Sequence, residues 1–433
     1  MIRNPATATC GAIPHPAMNT TTLGTPCFPS PLKRTLSDDI RIPQRIEVGA
    51  DPGFLFELAG PRAKLFFNPA QTRAGIVTCG GLCPGLNNVI RSLFLELHHG
   101  YGVKEVLGFR GGYQGLDPLR GAAPVVMTRE FVDDIHQEGG TVLGTSRGPV
   151  DTGVAVDNLI QRGVNILFTI GGDGTQLGGN DLYQEALRRG YPLAVVGIPK
   201  TVDNDVAFVS RTFGYFTAVE EAAKVLKCAH TEAHSVLNGI AVVKLMGRNA
   251  GFIAAGATVA SQDVNFCLIP EVPFALDGEL GLLAALQRRV LERAHAVIVV
   301  AEGAGQELIE ASDQGRDASG NAKLKDIGLF LRDRIEAHFK AAKIPAVLRY
   351  FDPNYIIRSV PADAEDSMLC DQFARHAAHA AMAGKTGLVV GILHDRFIHV
   401  PIEMLTQQKK TLDPASPAWR AVLAATGQAE CFE

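Results

Sequence analysis

Charged side chains follow two of the most apolar segments of the chain, where a packed core gains nothing from charge. The run LAVVGI (193–198) is followed by PKTVDND (199–205), and the run NILFTI (165–170) by GGDGT (171–175). The glycines of GGDGT allow backbone N–H groups to surround phosphate oxygens, but Asp173 would repel a phosphate there. A Mg²⁺ ion between carboxylate and phosphate resolves this conflict. The alternative, a purely structural turn, needs the glycines without the acid.

PKTVDND places two carboxylates, a hydroxyl and an ammonium at the end of one predicted strand. Asp203 or Asp205 can accept a proton from an attacking hydroxyl, the role that aspartate has in other phosphoryl transfers. Thr201 can hydrogen-bond the phosphoryl group in transfer, and Lys200 can neutralise its charge. The local sequence leaves one alternative, an Asx-type turn without a chemical role.

Polar and glycine-rich segments follow other apolar runs as well. CGGLCPGLNN (79–88) is a glycine-rich strand-to-helix turn, where Gly81 lets the backbone approach an anion. MGRNAG (246–251) contains Arg248, a side chain suited to bidentate phosphate binding. Single residues in further loops complete the set: Arg147 in GTSRGP, Glu302 after AVIVVA as an acceptor for sugar hydroxyls, and Tyr355 and Arg358 in YIIR, which would share one face of a helix.

The elements that must position these residues alternate along the chain. From about residue 72, nine apolar runs rich in Val, Ile and Leu alternate with helical segments, a pattern typical of parallel strands covered on both faces. One helix is predicted to open at Thr217, with Glu220 in capping-box spacing. Ligands bind such sheets beyond the carboxyl ends of the strands. The sequence therefore predicts an α/β protein, and its length favours two lobes. The predicted strands are GIVTC, EVLGF, NILFTI, LAVVGI, GIAVVKL, NFCLI, AVIVVA, AVLRY and GLVVGIL.

Composition narrows the class of partner. The chain has 433 residues, 46% of them hydrophobic, and its 41 basic and 45 acidic residues give a net charge of -4. This balance argues against nucleic acid or an anionic membrane as a partner. No apolar run approaches the roughly 20 residues of a membrane-spanning helix. The eight cysteines are expected to be reduced thiols. Together these features of the composition predict a soluble, cytoplasmic protein.

Residues 1–47 differ from the rest of the chain. This arm contains seven prolines and many threonines, and its first acidic residue is Asp38. Such a composition cannot bury enough apolar surface to fold alone. We expect an arm that is disordered or wraps over the surface, and its hydroxyl-rich, acid-poor start leaves an organelle transit peptide as an alternative.

Four motifs in order, GGDGT, PKTVDND, FGYFTAVE and MGRNAGFIA, resemble the phosphofructokinase family, over a stretch from about Ala74 to TGQ near the C-terminus. The resemblance implies two Rossmann-like lobes with parallel sheets and an active site in the cleft between them. It implies an allosteric, homo-oligomeric enzyme of glycolysis, a dimer or tetramer, that transfers phosphoryl from ATP to the 1-hydroxyl of D-fructose 6-phosphate. Residues 72–214 and about 357–400 would form the nucleotide-binding lobe, and residues 215–356 with the C-terminal segment the sugar-phosphate-binding lobe.

The resemblance also assigns a role to each candidate residue. Those implied to contact the ATP phosphates are Gly81, Arg147, Gly148, Gly172, Asp173, Gly174 and Thr175, with Asp173 also the Mg²⁺ ligand. Those implied to be catalytic are Asp203 as proton acceptor, with Thr201, Lys200 and Arg248. Those implied to contact the sugar phosphate are Thr201, Val202, Asp203, Met246, Gly247, Arg248, Glu302, Tyr355 and Arg358.

Two positions bear on the choice of phosphoryl donor. Short bacterial members of the family have glycine at the position of Lys200, whereas pyrophosphate-using relatives have lysine there together with aspartate at the position of Gly174. The combination in this chain resembles the ATP-dependent branch of plants, trypanosomatids and some bacteria. A carboxylate at Gly174 would stand where the α-phosphate of ATP must pass, and like charges about 4 Å apart repel by up to roughly 4 kcal/mol at an effective dielectric of 20. The donor is therefore predicted to be ATP.

Other departures and alternatives remain. The segment Asn238-Gly239 lacks the arginine with which short bacterial members reach a neighbouring subunit's sugar phosphate, and Tyr355 replaces a histidine of those members. This puts their subunit-bridged substrate site and their allosteric scheme in doubt. The alternatives are a pyrophosphate-dependent enzyme, another GGDG kinase for NAD or lipid, and a non-catalytic regulatory homologue. The other GGDG kinases lack PKTVDND and MGR, and a regulatory homologue would be expected to lose Asp203 or Asp173.

Overall fold

The described residues of the computed structural model are 17–18, 20–44, 54–309, 315, 323–405 and 409–433, so most of the first 19 residues of the arm and its last three, 45–47, lie outside them. The strands in these ranges are β1 Ala17–Met18, β2 Thr21–Thr22, β3 Phe28–Pro29, β4 Arg41–Pro43, β5 Leu55–Leu58, β6 Lys64–Leu65, β7 Arg73–Thr78, β8 Glu105–Gly108, β9 Val125–Val126, β10 Ile166–Gly171, β11 Ala194–Pro199, β12 Gly239–Leu245, β13 Phe266–Leu268, β14 His295–Ala301, β15 Val347–Phe351, β16 Lys385–Thr386, β17 Leu388–Leu393 and β18 Arg396–Pro401. The α-helices are α1 Leu86–Leu95, α2 Arg129–Val132, α3 Thr152–Gln161, α4 Asp173–Arg188, α5 Tyr215–His234, α6 Phe252–Ser261, α7 Leu282–Arg293, α8 Ile327–Ala341, α9 Ala364–Met382, α10 Ile402–Leu405 and α11 Pro417–Thr426.

Two sheets organise the chain. The larger has the order β1-β5-β18-β17-β11-β10-β7-β8-β9, with β4 paired to β5, and the smaller has the order β13-β14-β12-β15. The smaller sheet and the centre of the larger one, from β17 to β8, are parallel, whereas β18 and β9 pair antiparallel at the flanks. All nine predicted strands are present, as β7, β8, β10 to β15 and β17. The predicted α/β class with two lobes is confirmed.

The apolar runs are continuous because both faces of each sheet are covered. Along β12, Ile240 and Val242 face one core with α7 and α8, while Ala241, Val243 and Leu245 face another. That second core extends without a break through α5 to the inner face of the larger sheet. The two lobes therefore share one apolar core, which holds the carboxyl ends of their strands in a fixed relation.

Helix α5, which joins the two lobes, corrects one sequence prediction. The helix begins at Tyr215, after Gly214 with φ 84°, and not at a capping box of Thr217 and Glu220. The N–H and Oγ1 of Thr217 both donate to Oδ2 of buried Asp366, at 2.8 and 2.7 Å. The prediction failed because the partner of Thr217 lies 149 positions away, beyond any local pattern.

The described part of the arm pairs with the larger lobe. Strand β2 pairs with β16, β3 with β6, and β1 and β4 with β5. A buried ion cluster fastens it: Glu57 on β5 lies 2.9 Å from Arg62 and 2.6 Å from Lys385, and accepts a hydrogen bond from Thr20 of the arm. Arg62 also donates to Asp38 of the arm at 2.8 Å.

Among the helices of the described ranges, none has the length and apolar character needed to cross a bilayer.

Glu57 is predicted to carry much of this anchoring. Burial alone would raise its pKa, but His399, Lys385 and Thr20 hold the pKa of this carboxyl well below its usual value. Glu57→Gln leaves two buried cations without their carboxylate and should lower the free energy of unfolding by roughly 3–5 kcal/mol, measured by urea titration at pH 7. Because the folded pKa is depressed, the loss should shrink only below the unfolded pKa of about 4.

A matched control is Glu105→Gln, which removes a partly exposed ion pair with Arg73 at 2.9 Å. An exposed pair is worth under about 1 kcal/mol. Equal effects of the two substitutions would contradict a special role for the buried cluster.

Candidate active site

The exits of β10 and β11 lie side by side. Their parallel register pairs Gly171 with Pro199, and the N–H of Lys200 donates to the carbonyl of Gly171 at 3.0 Å. The buried amide of Gln176 on α4 donates to the carbonyls of Gly171 and Ile198 at 2.9 and 3.2 Å. GGDGT and PKTVDND, separate in sequence, therefore leave the sheet at one place.

GGDGT forms the N-terminus of α4. Gly172 caps the helix, which begins at Asp173. Only glycine fits at 171, because a Cβ there would lie 2.2 Å from Oγ1 of Thr175. A Cβ at Gly174, in contrast, would meet no described atom within 4 Å other than those of its chain neighbours and of the α4 backbone. The start of α4 thus presents unpaired N–H groups, one carboxylate and open space to the cleft.

Three cations converge on Gly81, in the glycine-rich turn after β7. The ammonium of Lys200 donates to the Gly81 carbonyl at 2.7 Å. A Cβ on Gly81 would lie 3.4 Å from Nη1 of Arg358 and 3.7 Å from Nη2 of Arg147. Thr145 donates to the Gly80 carbonyl at 2.7 Å and so holds the loop of Arg147 against this turn. Burial lowers the pKa of Lys200, and such a cluster is stabilised by an anion.

Opposite charges lie on the adjacent turn. Thr201 donates from Oγ1 to Asp205 at 3.1 Å and accepts the Asp203 N–H at 3.1 Å, which orders the turn. Burial, with the charges of Asp205 and Glu302, raises the pKa of Asp203 to about 8. Its buried Oδ1 has no hydrogen-bond partner among the described residues. A carboxyl whose pKa lies close to neutrality is suited to exchange a proton with a reacting group.

These groups line one cleft of about 810 Å³. Fourteen of the residues predicted from sequence lie on its wall: Gly81, Arg147, Gly148, Gly172, Asp173, Gly174, Thr175, Lys200, Thr201, Val202, Asp203, Met246, Arg248 and Arg358. The lobe built on the larger sheet supplies most of the wall. The turn after β12, in the lobe built on the smaller sheet, supplies Met246 and Arg248. The cleft therefore spans the carboxyl ends of both sheets.

Three predicted residues, Gly247, Glu302 and Tyr355, lie outside this wall. Gly247 accepts the Gly303 N–H at 3.1 Å and so ties the exits of β12 and β14 together. Glu302 is half-buried near Asp203 and Arg248, and burial raises its pKa. Tyr355 is 74% exposed, and YIIR is a turn rather than a helix. Even so, the guanidinium of Arg358 lies 4.8 Å from the Tyr355 ring centroid.

Of the cations on the described wall, sequence reasoning missed one, Lys409. Its ammonium pairs with the carboxylate of Asp173 and lies 3.9 Å from Asp205. Lys409 stands in a polar C-terminal segment, 236 positions from Asp173, without a motif around it. Only the fold brings it to the cleft.

The donor atoms suit a divalent cation shared with a ligand. Within the described ranges, no group of three or more His, Cys, Asp and Glu side chains is arranged to hold a metal ion by itself. Asp173, at the start of α4, offers carboxylate oxygens beside open space at Gly174. Mg²⁺ commonly takes one or two protein carboxylates and completes its shell with phosphate and water. The site fits that mode rather than an all-protein metal cage.

The fold and cleft define an α/β protein whose strand ends offer paired cations and carboxylates to phosphorylated ligands. The sequence profile named Phosphofructokinase matches residues 73–381. The chain is 48% identical over 380 residues to ATP-dependent 6-phosphofructokinase of Borreliella burgdorferi, covering 86% of this chain and 85% of that one. It is 45% identical to ATP-dependent 6-phosphofructokinase 7 of Arabidopsis thaliana (93% and 85% covered) and 48% identical to the Trypanosoma brucei brucei enzyme of that name (85% and 75% covered). The chain belongs to the phosphofructokinase family.

Solved structures agree on the fold. A pyrophosphate-dependent phosphofructokinase from Marinobacter aquaeolei superposes with a TM-score of 0.66 at 20% identity, over 83% of this chain and 93% of that one. Phosphofructokinase from Pichia pastoris superposes with a TM-score of 0.62 at 21% identity, over 82% of this chain and 37% of that one. At these identities the likeness concerns architecture alone.

Asp203 should reduce the stability of the folded chain at alkaline pH. Its pKa is about 8 in the folded protein and about 4 in an unfolded chain. The folded state therefore holds the proton longer, and stability falls as pH rises from about 4 to 8. Asp203→Asn removes this titration, so its advantage over the parent should grow by roughly 2–4 kcal/mol between pH 5 and pH 9 in urea unfolding.

The control is Asp181→Asn, which changes an exposed carboxylate of the same cleft. It should alter the free energy of unfolding little at either pH. A constant difference between Asp203→Asn and the parent across the pH range would show that Asp203 ionises normally.

Proposed function

We propose that the chain is an ATP-dependent 6-phosphofructokinase, which transfers the γ-phosphoryl group of ATP to the 1-hydroxyl of D-fructose 6-phosphate. The observation that carries this proposal is the opposition of charges in the cleft. Lys200, Arg147 and Arg358 converge on Gly81, beside the poised carboxyl of Asp203. A base next to a cluster of cations is what phosphoryl transfer to an alcohol requires. The names of the relatives at 44–49% identity support the same donor and acceptor.

The acceptor half of the mechanism rests on the turn after β11. Asp203 takes the proton of the attacking hydroxyl, and its raised pKa makes the carboxylate a stronger base than an exposed aspartate. Thr201 orients the turn through Asp205 and the Asp203 N–H. Arg248 and Arg358 bind the sugar phosphate, and Met246, Gly247 and Val202 shape its pocket. Glu302 accepts hydrogen bonds from sugar hydroxyls, and Tyr355 supports Arg358 from its exposed side.

The donor half rests on two glycine turns. The N–H groups at the start of α4 and the turn at Gly81 bind the phosphate chain, with Arg147 and Gly148 closing over it. Asp173 would hold Mg²⁺, which neutralises charge on the phosphoryl group in transfer. Lys200 remains at the Gly81 carbonyl, where its charge faces the same group. On this basis residues 72–214 and about 357–400 bind nucleotide, and residues 215–356 with the C-terminal segment bind sugar phosphate.

The donor is ATP because of Gly174. No atom of the described residues fills the space beside this glycine, so an α-phosphate can pass. Homo-oligomer formation and allosteric control stay predictions from the family resemblance, and a cytoplasmic location stays a prediction from composition. The side chain of Asn238 donates to the Pro345 carbonyl at 2.8 Å and so serves a turn in its own lobe.

The test is a donor assay on the purified chain. Fructose 6-phosphate and Mg²⁺ are supplied with either ATP or pyrophosphate, and fructose 1,6-bisphosphate is measured. We expect product with ATP only. Asp203→Asn should turn over roughly 10²–10⁴-fold more slowly, the usual contribution of a general base. Product with pyrophosphate would assign donor choice to Lys200 instead, and product with neither donor would favour a regulatory homologue.

Gly174→Asp should act on the donor alone. The new side chain has room, and an acid in the first turn of a helix is tolerated. Its charge near the α-phosphate should weaken ATP by up to about three decades and leave the KM for fructose 6-phosphate within about twofold. Gly174→Asn, of the same size without the charge, is the matched control. Equal losses for Asp and Asn, or for both substrates, would mean that the position is structural.

A further inference from the structure

The C-terminal segment brings a cation into the donor half of the cleft that the mechanism above does not use. The ammonium of Lys409 pairs with Asp173 and lies 3.9 Å from Asp205, on the wall of the cleft. Asp173 is the carboxylate proposed to hold Mg²⁺. Lys409 therefore stands where a divalent cation would have to bind.

The backbone beside Lys409 is firmly attached to the active-site turn. The N–H of Lys410 donates to the Asp205 carbonyl at 3.2 Å. The ammonium of Lys410 donates to Oδ1 of Asn204 at 3.0 Å and to the carbonyls of Val209 and Ser210 at 2.8 Å each. Next along the chain, Leu412 is buried and donates its N–H to Glu271 at 2.7 Å. Lys410 anchors the segment, and Lys409 extends from this anchor into the cleft.

The side chain of Lys409 differs from that of Lys410 in freedom. Lys410 is bound by three oxygens of one turn, whereas Lys409 is half-exposed and both its partners are carboxylates at the edge of the cleft. A flexible four-carbon stem with a point charge can change partner without movement of its backbone. A phosphate chain beside Gly174 would lie within the same part of the cleft as Asp173.

We propose that Lys409 is a donor-binding residue that exchanges partners: it holds Asp173 and Asp205 until a divalent cation takes Asp173, and then binds the phosphate oxygens of the donor. The proposal rests on the proposed function for the identity of that donor. The ammonium of Lys409 thereby has two roles. It balances two neighbouring carboxylates, and it adds a cation to the donor's phosphates when the metal arrives with them.

The test measures binding rather than turnover. Lys409→Met keeps most of the length of the side chain and removes its charge. Mn²⁺, a paramagnetic substitute for Mg²⁺, is titrated into the protein without nucleotide, and unbound Mn²⁺ is followed by electron paramagnetic resonance. Loss of the competing ammonium should tighten Mn²⁺ roughly tenfold. ATP binding at saturating Mn²⁺, measured by calorimetry, should weaken roughly tenfold or more, the usual effect of losing a charge-assisted hydrogen bond.

Two variants control the experiment. Lys409→Arg keeps the charge and should stay within about threefold of the parent for both ligands. Lys224→Met removes an ammonium that pairs with Glu220 and Glu221 on α5 and should change neither. Opposite shifts for Mn²⁺ and ATP support the exchange, whereas damage to the fold would weaken both.

Unchanged or weaker Mn²⁺ binding in Lys409→Met, or unchanged ATP binding, would overturn the proposal. These outcomes are separable from failure of the proposed function. If the parent chain forms no fructose 1,6-bisphosphate but Lys409→Met still shows the opposite shifts, the proposed function is wrong and the exchange of partners is supported.

Discussion

The site depends on the parallel register of β10 and β11. Pairing of Gly171 with Pro199 sends two chain segments out of the sheet at the same level, and the amide of Gln176 links their last carbonyls. A shift by one residue would turn every side chain of a strand to the other face. It would separate the glycine turn from the acidic turn. Because both strands are buried in continuous cores, the apolar packing that stabilises the fold also fixes the distance between donor and acceptor halves.

This arrangement places charge where it reduces stability. Asp203 is buried without a partner for Oδ1 within the described structure, and its nearest charged neighbours include Asp205. A buried, unpaired carboxyl is unfavourable unless it stays protonated or meets a cation. The shared core of the two lobes must offset that effect, and the ion cluster at Glu57 adds a second attachment far from the cleft. Stabilising contacts elsewhere in the fold thus offset the unfavourable buried charge in the cleft.

Much of this could be predicted from the sequence, for a physical reason. Strands covered on both faces must be apolar throughout, so the continuous apolar run of β12 predicts a buried strand. The charged residues after β10 and β11 are conspicuous because they follow such runs. Thr217 and Lys409 could not be interpreted in this way. Each takes its meaning from a carboxylate, Asp366 or Asp173, that is remote in sequence, and no local pattern encodes such a contact. The pairing of the arm with β5 and β16 is unpredictable for the same reason.

The balance of charge on the wall explains why an acid belongs in a phosphate-binding turn at all. Among the described residues, five cations line the cleft, Arg147, Lys200, Arg248, Arg358 and Lys409, against four carboxylates, Asp173, Asp181, Asp203 and Asp205. Such a wall is close to neutral. Two phosphorylated ligands carry far more negative charge than it can compensate. In the proposed function, a divalent cation delivered with the donor would supply the remainder, provided that the wall keeps a carboxylate to receive it. In the proposed function, Asp173 would therefore make binding of the donor depend on its metal, whereas a turn of glycines without the acid would bind phosphate with no such requirement.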